Sequence, residues 1–256
     1  MMRPEKIGNA LLLLWAVLAI SSLVLIEPIK QDVLYHEFSD KNSLLSVPNA
    51  LNVVSNLPFL VIGIWGIWLL IKNEALVICE KNRFAYYILF IGVSLVALGS
   101  GYYHLWPSNE TLVWDRLPMT VAFMGLTSIV VSEYASKAMG KKLLFPLLFL
   151  GMFSVVYWHL TEIGGAGDLR PYIFVQFFPI VGIPIVLIFY KSMYSRASCY
   201  WLLLVAYLVA KVFEYYDSQI HSVLSVISGH SIKHIAAACG ILMLLRGYRY
   251  REHLAR

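Results

Sequence analysis

The sequence predicts an all-α, polytopic membrane protein, and three observations predict it. Of 256 residues, 59% are hydrophobic and only 14% charged, against roughly 45–50% and about 25% in an ordinary soluble domain. The mean hydropathy is +0.71. Eight segments each supply the run of about 20 mostly apolar residues that a spanning helix needs.

In chain order, the first span is predicted over 8–27, where Arg3 and Lys6 precede "LLLLWAVLAI". That pattern also fits a signal peptide, but the small residues that follow, Ser21 and Ser22, do not make an A-x-A site, so a retained helix is favoured. The second span is predicted over 48–71, and the third over 84–105 carries Ser100 and His104 near its end. The fourth, over 116–134, opens at "WDRLPM", where Asp115 can cap the helix, with Arg116 as its partner and Pro118 in the first turn. The fifth, over 143–161, ends at His159 and Glu162, which read as interfacial. The sixth is predicted over 171–190. The seventh, over 199–216, contains "KVFEYYD", in which Lys211 and Glu214 can pair on one face. The eighth, over 230–247, begins in "GHSIKH", with Lys233 set to snorkel toward lipid phosphates. No internal repeat divides the chain.

A net charge of +5 invites a nucleic-acid reading, but in a membrane protein basic residues record orientation instead, so nucleic acid is set aside. Alternate loops and ends carry 14 Lys and Arg against four, the four being Lys30, Lys41, Arg116 and Arg170. The positive-inside rule therefore places both termini in the cytoplasm. The three cysteines, Cys79, Cys199 and Cys239, lack CxxC spacing, so any metal needs histidine and carboxylate ligands.

That topology brings Ser100, His104, Asp115, His230 and His234 into one leaflet, the outer one. His230 and His234 are four apart and share a helix face, as do Ser100 and His104. Three histidines from two helices leave one coordination position of a zinc ion open, which is the form of a catalytic site. Each residue alone has a plainer role: Ser100 can bond back to a helix carbonyl, and a lone HxxxH is a weak pattern. Together on one side of the membrane they read better as a site. "NET" at 109–111 fits a glycosylation acceptor by chance, and Tyr102, Tyr103, Trp106 and Trp114 form an interfacial aromatic belt that can also line a lipid access path.

The pattern S-x3-H, then D eleven residues on, then a distant H-x3-H resembles the CREST superfamily, which includes the alkaline ceramidases, Per1-like proteins and adiponectin/progestin receptors. "WDRLPM" is similar to the ceramidase "DELPM", and "NALNVVSNLPFL" at 49–60 to "EFWNTVSNL". The resemblance implies a seven-helix core over 35–247, with residues 1–34 an added helix and the start of the outer loop, and 248–256 a basic cytoplasmic tail. It implies His104, His230 and His234 as zinc ligands, Asp115 as general base and then acid, and Ser100 as the group that holds the substrate carbonyl or its oxyanion.

The expected function is a zinc-dependent lipid amide hydrolase acting on ceramide or a related N-acyl lipid. The alternatives are a Per1-like ester hydrolase and a non-catalytic receptor or structural protein with a structural zinc. Alkaline ceramidases also bind calcium through an acidic segment before the core. Here Glu37, Asp40 and Asn49 offer oxygen ligands, but with less charge and different spacing, so a solvated outer loop is favoured over calcium. The short loops point to a compact protein of the bacterial cytoplasmic membrane, with its lipid substrate and the bilayer as partners and no oligomeric state indicated.

Overall fold

The structure, a computed structural model, describes residues 3–73 and 75–254. Ala255 and Arg256, the end of the expected tail, and Met1 and Met2 lie outside the described residues. Among the described residues, seven helical segments are long and apolar enough to cross a membrane, and an eighth is reached if the helices Asp217–Leu224 and Gly229–Tyr250, bent by 105°, form one span.

Helix α1 (Pro4–Leu25) has proline at its first position, where no backbone N–H is needed. It lies along α7 (Arg170–Phe189), with Trp15 Nε1 donating to the Phe178 carbonyl at 3.1 Å. Most of its apolar surface faces outward, as lipid contact requires.

The second span is not continuous. It divides into α2 (Ala50–Val54) and α3 (Leu57–Ile71). Pro58 has no N–H for the Val54 carbonyl, and its ring crowds that carbonyl, so the helix breaks over Ser55 and Asn56. Two polar side chains are thereby turned into the bundle.

Helix α4 (Arg83–Leu105) packs along α5 (Asn109–Val130). The start of α5 corrects the expected cap. Ser108 Oγ accepts from Thr111 N–H, and Thr111 Oγ1 accepts from Ser108 N–H, which makes Ser108 the cap. Asp115 therefore sits in the second turn and Pro118 inside the helix. Pro118 cannot donate to the Trp114 carbonyl, and Gly99 of α4 rests against that oxygen. A Cβ added at Gly99 would lie 1.9 Å from it, so only glycine lets the two backbones come this close.

Helix α6 (Lys137–Ile163) follows a π-turn over Val131–Ala135. After α7 come α8 (Ser198–Tyr215), the short α9 (Asp217–Leu224) and α10 (Gly229–Tyr250). At the end of the bundle away from the histidines, the π-turn directs Glu133 inward. Its carboxylate accepts from Arg251 Nη2 at 2.6 Å and Nη1 at 2.9 Å, from Tyr200 at 2.8 Å and from Tyr86. Both charged residues are almost wholly buried, so each ion is satisfied by its partner and by hydroxyls rather than by water.

Candidate metal centre

His104 comes from the last turn of α4, and His230 and His234 from the first turns of α10. One ring nitrogen from each lies within 4.8 Å of the others, and the ring centroids are 4.9–5.1 Å apart. All three side chains are buried. Among the described residues no other group of His, Cys, Asp and Glu converges in this way.

The residues fit a metal ion on two counts. First, His104 Nδ1 and His230 Nε2 are buried with no hydrogen-bond partner, which costs about 1–3 kcal/mol per group when left unmet. Second, His234 Nδ1 lies 2.8 Å from Ser55 Oγ, whose hydroxyl is 3.1 Å from the Asn52 carbonyl. With Nδ1–H donating into that chain, Nε2 is left free to ligate, the outer-shell arrangement that orients metal-bound imidazoles. Asn56 Nδ2 donates to the same Asn52 carbonyl at 2.8 Å. Ser55 and Asn56 carry no metal-site signature of their own. What exposes them in the sequence is a polar pair placed just before a proline inside an apolar run.

The start of α10 is fixed by Asp217, which accepts from His230 N–H at 2.7 Å and from Ser39 N–H at 3.0 Å. Gly229 makes this possible: a Cβ there would lie 2.2 Å from the Phe213 carbonyl. From the other side, the loop between α1 and α2 covers the histidines. Phe38 places its ring 4.6 Å from that of His104 and 4.8 Å from that of His230. His36 holds the loop down through Tyr103 Oη at 2.9 Å and Asn109 Oδ1 at 3.0 Å. Asn109 is thus engaged inside the protein.

Ser100 and Asp115 line the same cavity as the three histidines, a space of about 290 Å³. Its polar end is completed by Arg116, Lys211, Glu214 and Lys233. The remainder is apolar, with Phe59, Val93, Phe123, Leu203 and Ile241 among its walls. Helices α7 and α8 barely touch along this space; Gln176 Nε2 bridges them by donating to Tyr207 Oη at 2.9 Å.

The expected Lys211–Glu214 pair is present at 2.6 Å. Lys233 is a correction: it does not reach for lipid phosphates but turns inward to Glu214 at 2.8 Å, because α8 presents a half-buried carboxylate within reach. His159 and Glu162 stay outside the cavity wall, and Glu162 instead accepts from Trp158 Nε1 and Gln31 N–H.

Glu37, Asp40 and Asn49 are separated. Glu37 is exposed beside Lys41, whose ammonium holds its carboxyl below the usual range. Asp40 is buried and accepts from Asn42 N–H, while Asn49 donates to the His104 carbonyl at 2.8 Å.

Compared with curated proteins, the chain has no significant match. Compared with protein families, it matches the Ceramidase model over residues 45–255.

Proposed function

Because the chain belongs to the Ceramidase family, we propose that it is a zinc-dependent intramembrane hydrolase that cleaves ceramide or a related N-acyl lipid to a fatty acid and an amine. The observation that carries this reading is the buried triad of His104, His230 and His234, with two of its ring nitrogens orphaned. Three imidazoles suit zinc and leave one position open. Bound there, zinc would supply a Lewis acid for the substrate carbonyl and lower the pKa of a coordinated water.

The chain's own residues have the remaining tasks. Asp115 takes the proton of the attacking water and returns it to the departing amine. Ser100, one turn from His104, donates its hydroxyl to the carbonyl oxygen as that oxygen gains charge. The apolar walls contributed by α3, α4, α5, α8 and α10 hold the acyl chains, so the scissile bond stays beside the polar end. Phe38 and its loop keep bulk water away from that end. Residues 35–247 form the seven-helix hydrolase core, α1 being an addition to it. The charge bias supports cytoplasmic termini and a site in the outer half of the membrane.

The test incubates a total lipid extract with the purified protein and with His234→Ala, read by mass spectrometry. Fatty acid and sphingoid base appearing only with the unmodified protein is the expected result. Fatty acid with a lysophospholipid or another alcohol would assign ester hydrolysis instead. No difference between the two proteins would leave a non-catalytic role for the metal.

A further inference from the structure

The polar end of the cavity holds three cations, Lys211, Lys233 and Arg116, against two carboxylates, Glu214 and Asp115. Glu214 is shared by Lys211 and Lys233, and Asp115 forms an ion pair with none of the three. Arg116 adds a third cation. It is 5% exposed, and among the described residues it makes no ion pair. One hydrogen bond, from Nη2 to Gln31 Oε1 at 2.6 Å, satisfies part of it. Its Nη1 is buried without a partner.

Aromatic rings surround the guanidinium instead, with centroids at 4.2 Å for Trp158, 4.7 Å for Tyr172 and 5.8 Å for Tyr35. Cation–π contacts contribute about 0.5–2 kcal/mol each, yet they leave donors idle, and a buried cation lacking an anion is costly. The rings also fix the plane of the fork, the geometry that suits two-point capture of a carboxylate or phosphate. Gln31 and Tyr35 lie before residue 45, where the family match begins, so part of this surround comes from outside the matched residues.

Resting on the hydrolase reading above, we propose that Arg116 binds an acidic group, carboxylate or phosphate, on the amine half of the substrate, so that the preferred lipids are N-acyl amides with an anionic headgroup. Hydrolysis then breaks the amide C–N bond. Water gives its oxygen to the acyl carbon and a proton to the nitrogen, and the acidic amine leaves with its charge unchanged. No oxidant or second substrate is required.

The test measures binding and turnover separately for N-palmitoylglycine, N-palmitoyl phosphoethanolamine and neutral N-palmitoylethanolamine, with palmitate as a control for the product carboxylate. Binding is read from tryptophan fluorescence of the full-length, metal-loaded protein. At least one acidic amide should bind roughly 10- to 100-fold tighter than the neutral one, as a hydrogen-bonded charge pair allows. Arg116→Gln should abolish that preference while leaving the neutral amide's affinity within about twofold, and Arg116→Lys should restore part of it. Whichever acidic amide shows the gain identifies the group bound.

Equal affinities in the unmodified protein would overturn the proposal, as would a gain confined to palmitate. An Arg116→Gln loss equal for all ligands would also overturn it, since that is what a purely structural arginine gives. A binding preference without turnover would leave the proposal standing and remove the hydrolase reading. Turnover without preference would do the reverse.

Discussion

On the proposed reading the two ring nitrogens of His234 have different tasks, Nδ1 bonding to Ser55 and Nε2 ligating zinc. Ser55 holds Nδ1 at 2.8 Å, and removing such an outer-shell partner typically lowers metal affinity about 10- to 100-fold. Ser55→Ala should therefore weaken zinc retention by that factor, read by competition with a chelator, while His230→Ala should abolish stoichiometric zinc in metal analysis. Asp115 has the opposite signature. Its place in the cavity but outside the ligand triad means that Asp115→Asn should keep the metal and lose roughly 10²–10⁴-fold in turnover, the usual contribution of a positioned proton-transfer group. Unchanged turnover would remove the assignment of the base. The pairs Ser100–His104 and His230–His234 were legible in the sequence because their spacing is local: four apart on a helix is one face wherever that helix sits. Ser55, Asn56, Phe38 and the surround of Arg116 were not legible as parts of a site, because each acts on residues far away in the sequence that only the packed helices bring near.

Helix geometry sets where those residues land. The break before Pro58 turns Ser55 toward His234, and the Gly99–Trp114 contact draws Ser100 and Asp115 to one wall. Gly99→Ala puts a methyl where the Trp114 carbonyl stands, and overpacking of this kind costs about 1–3 kcal/mol, occasionally more. The variant should unfold at lower temperature and lose activity, whereas Gly164→Ala, where an added Cβ meets nothing closer than 3.4 Å, should behave as a control. At the turn before α7, Asp168 is paired with Arg170 at 2.8 Å. The Arg170 guanidinium, hydrogen-bonded to it, holds the Asp168 carboxyl below its usual range. A depressed carboxylate stabilises the fold above its unfolded pKa of about 4 and loses that contribution as acid protonates it in the folded state. Asp168→Asn should accordingly lower the melting temperature at pH 7 and shrink its further fall below about pH 4.

Across the whole molecule, two polar centres occupy opposite ends of an apolar bundle. One is the histidine cavity; the other is Glu133 with Arg251 and their tyrosines. The second joins the π-turn after α5 to the residue following α10, and Arg251 Nε also donates to the Val77 carbonyl at 2.7 Å. Removing one member leaves a buried charge alone, at about 3–5 kcal/mol. Arg251→Met should therefore destabilise strongly in thermal unfolding, and adding Glu133→Gln should recover much of the loss. Neither residue stands out in the sequence, since a basic tail and one acidic residue near a span end read as ordinary inward-facing charge.

The sequence by itself determined the class of molecule and the residues able to hold a metal, because hydropathy, length and i, i+4 spacing are properties of short segments. It misplaced the start of α5 and the direction of Lys233, and it did not show the irregular turn between α2 and α3 within the second span. The tertiary structure decided which side chains share the cavity, which imidazole nitrogens are left without partners and where Arg116 spends its charge. Those depend on which backbone passes which. In this chain the passages are set by one proline break and by glycines at helix crossings, whose consequences appear only when distant helices meet.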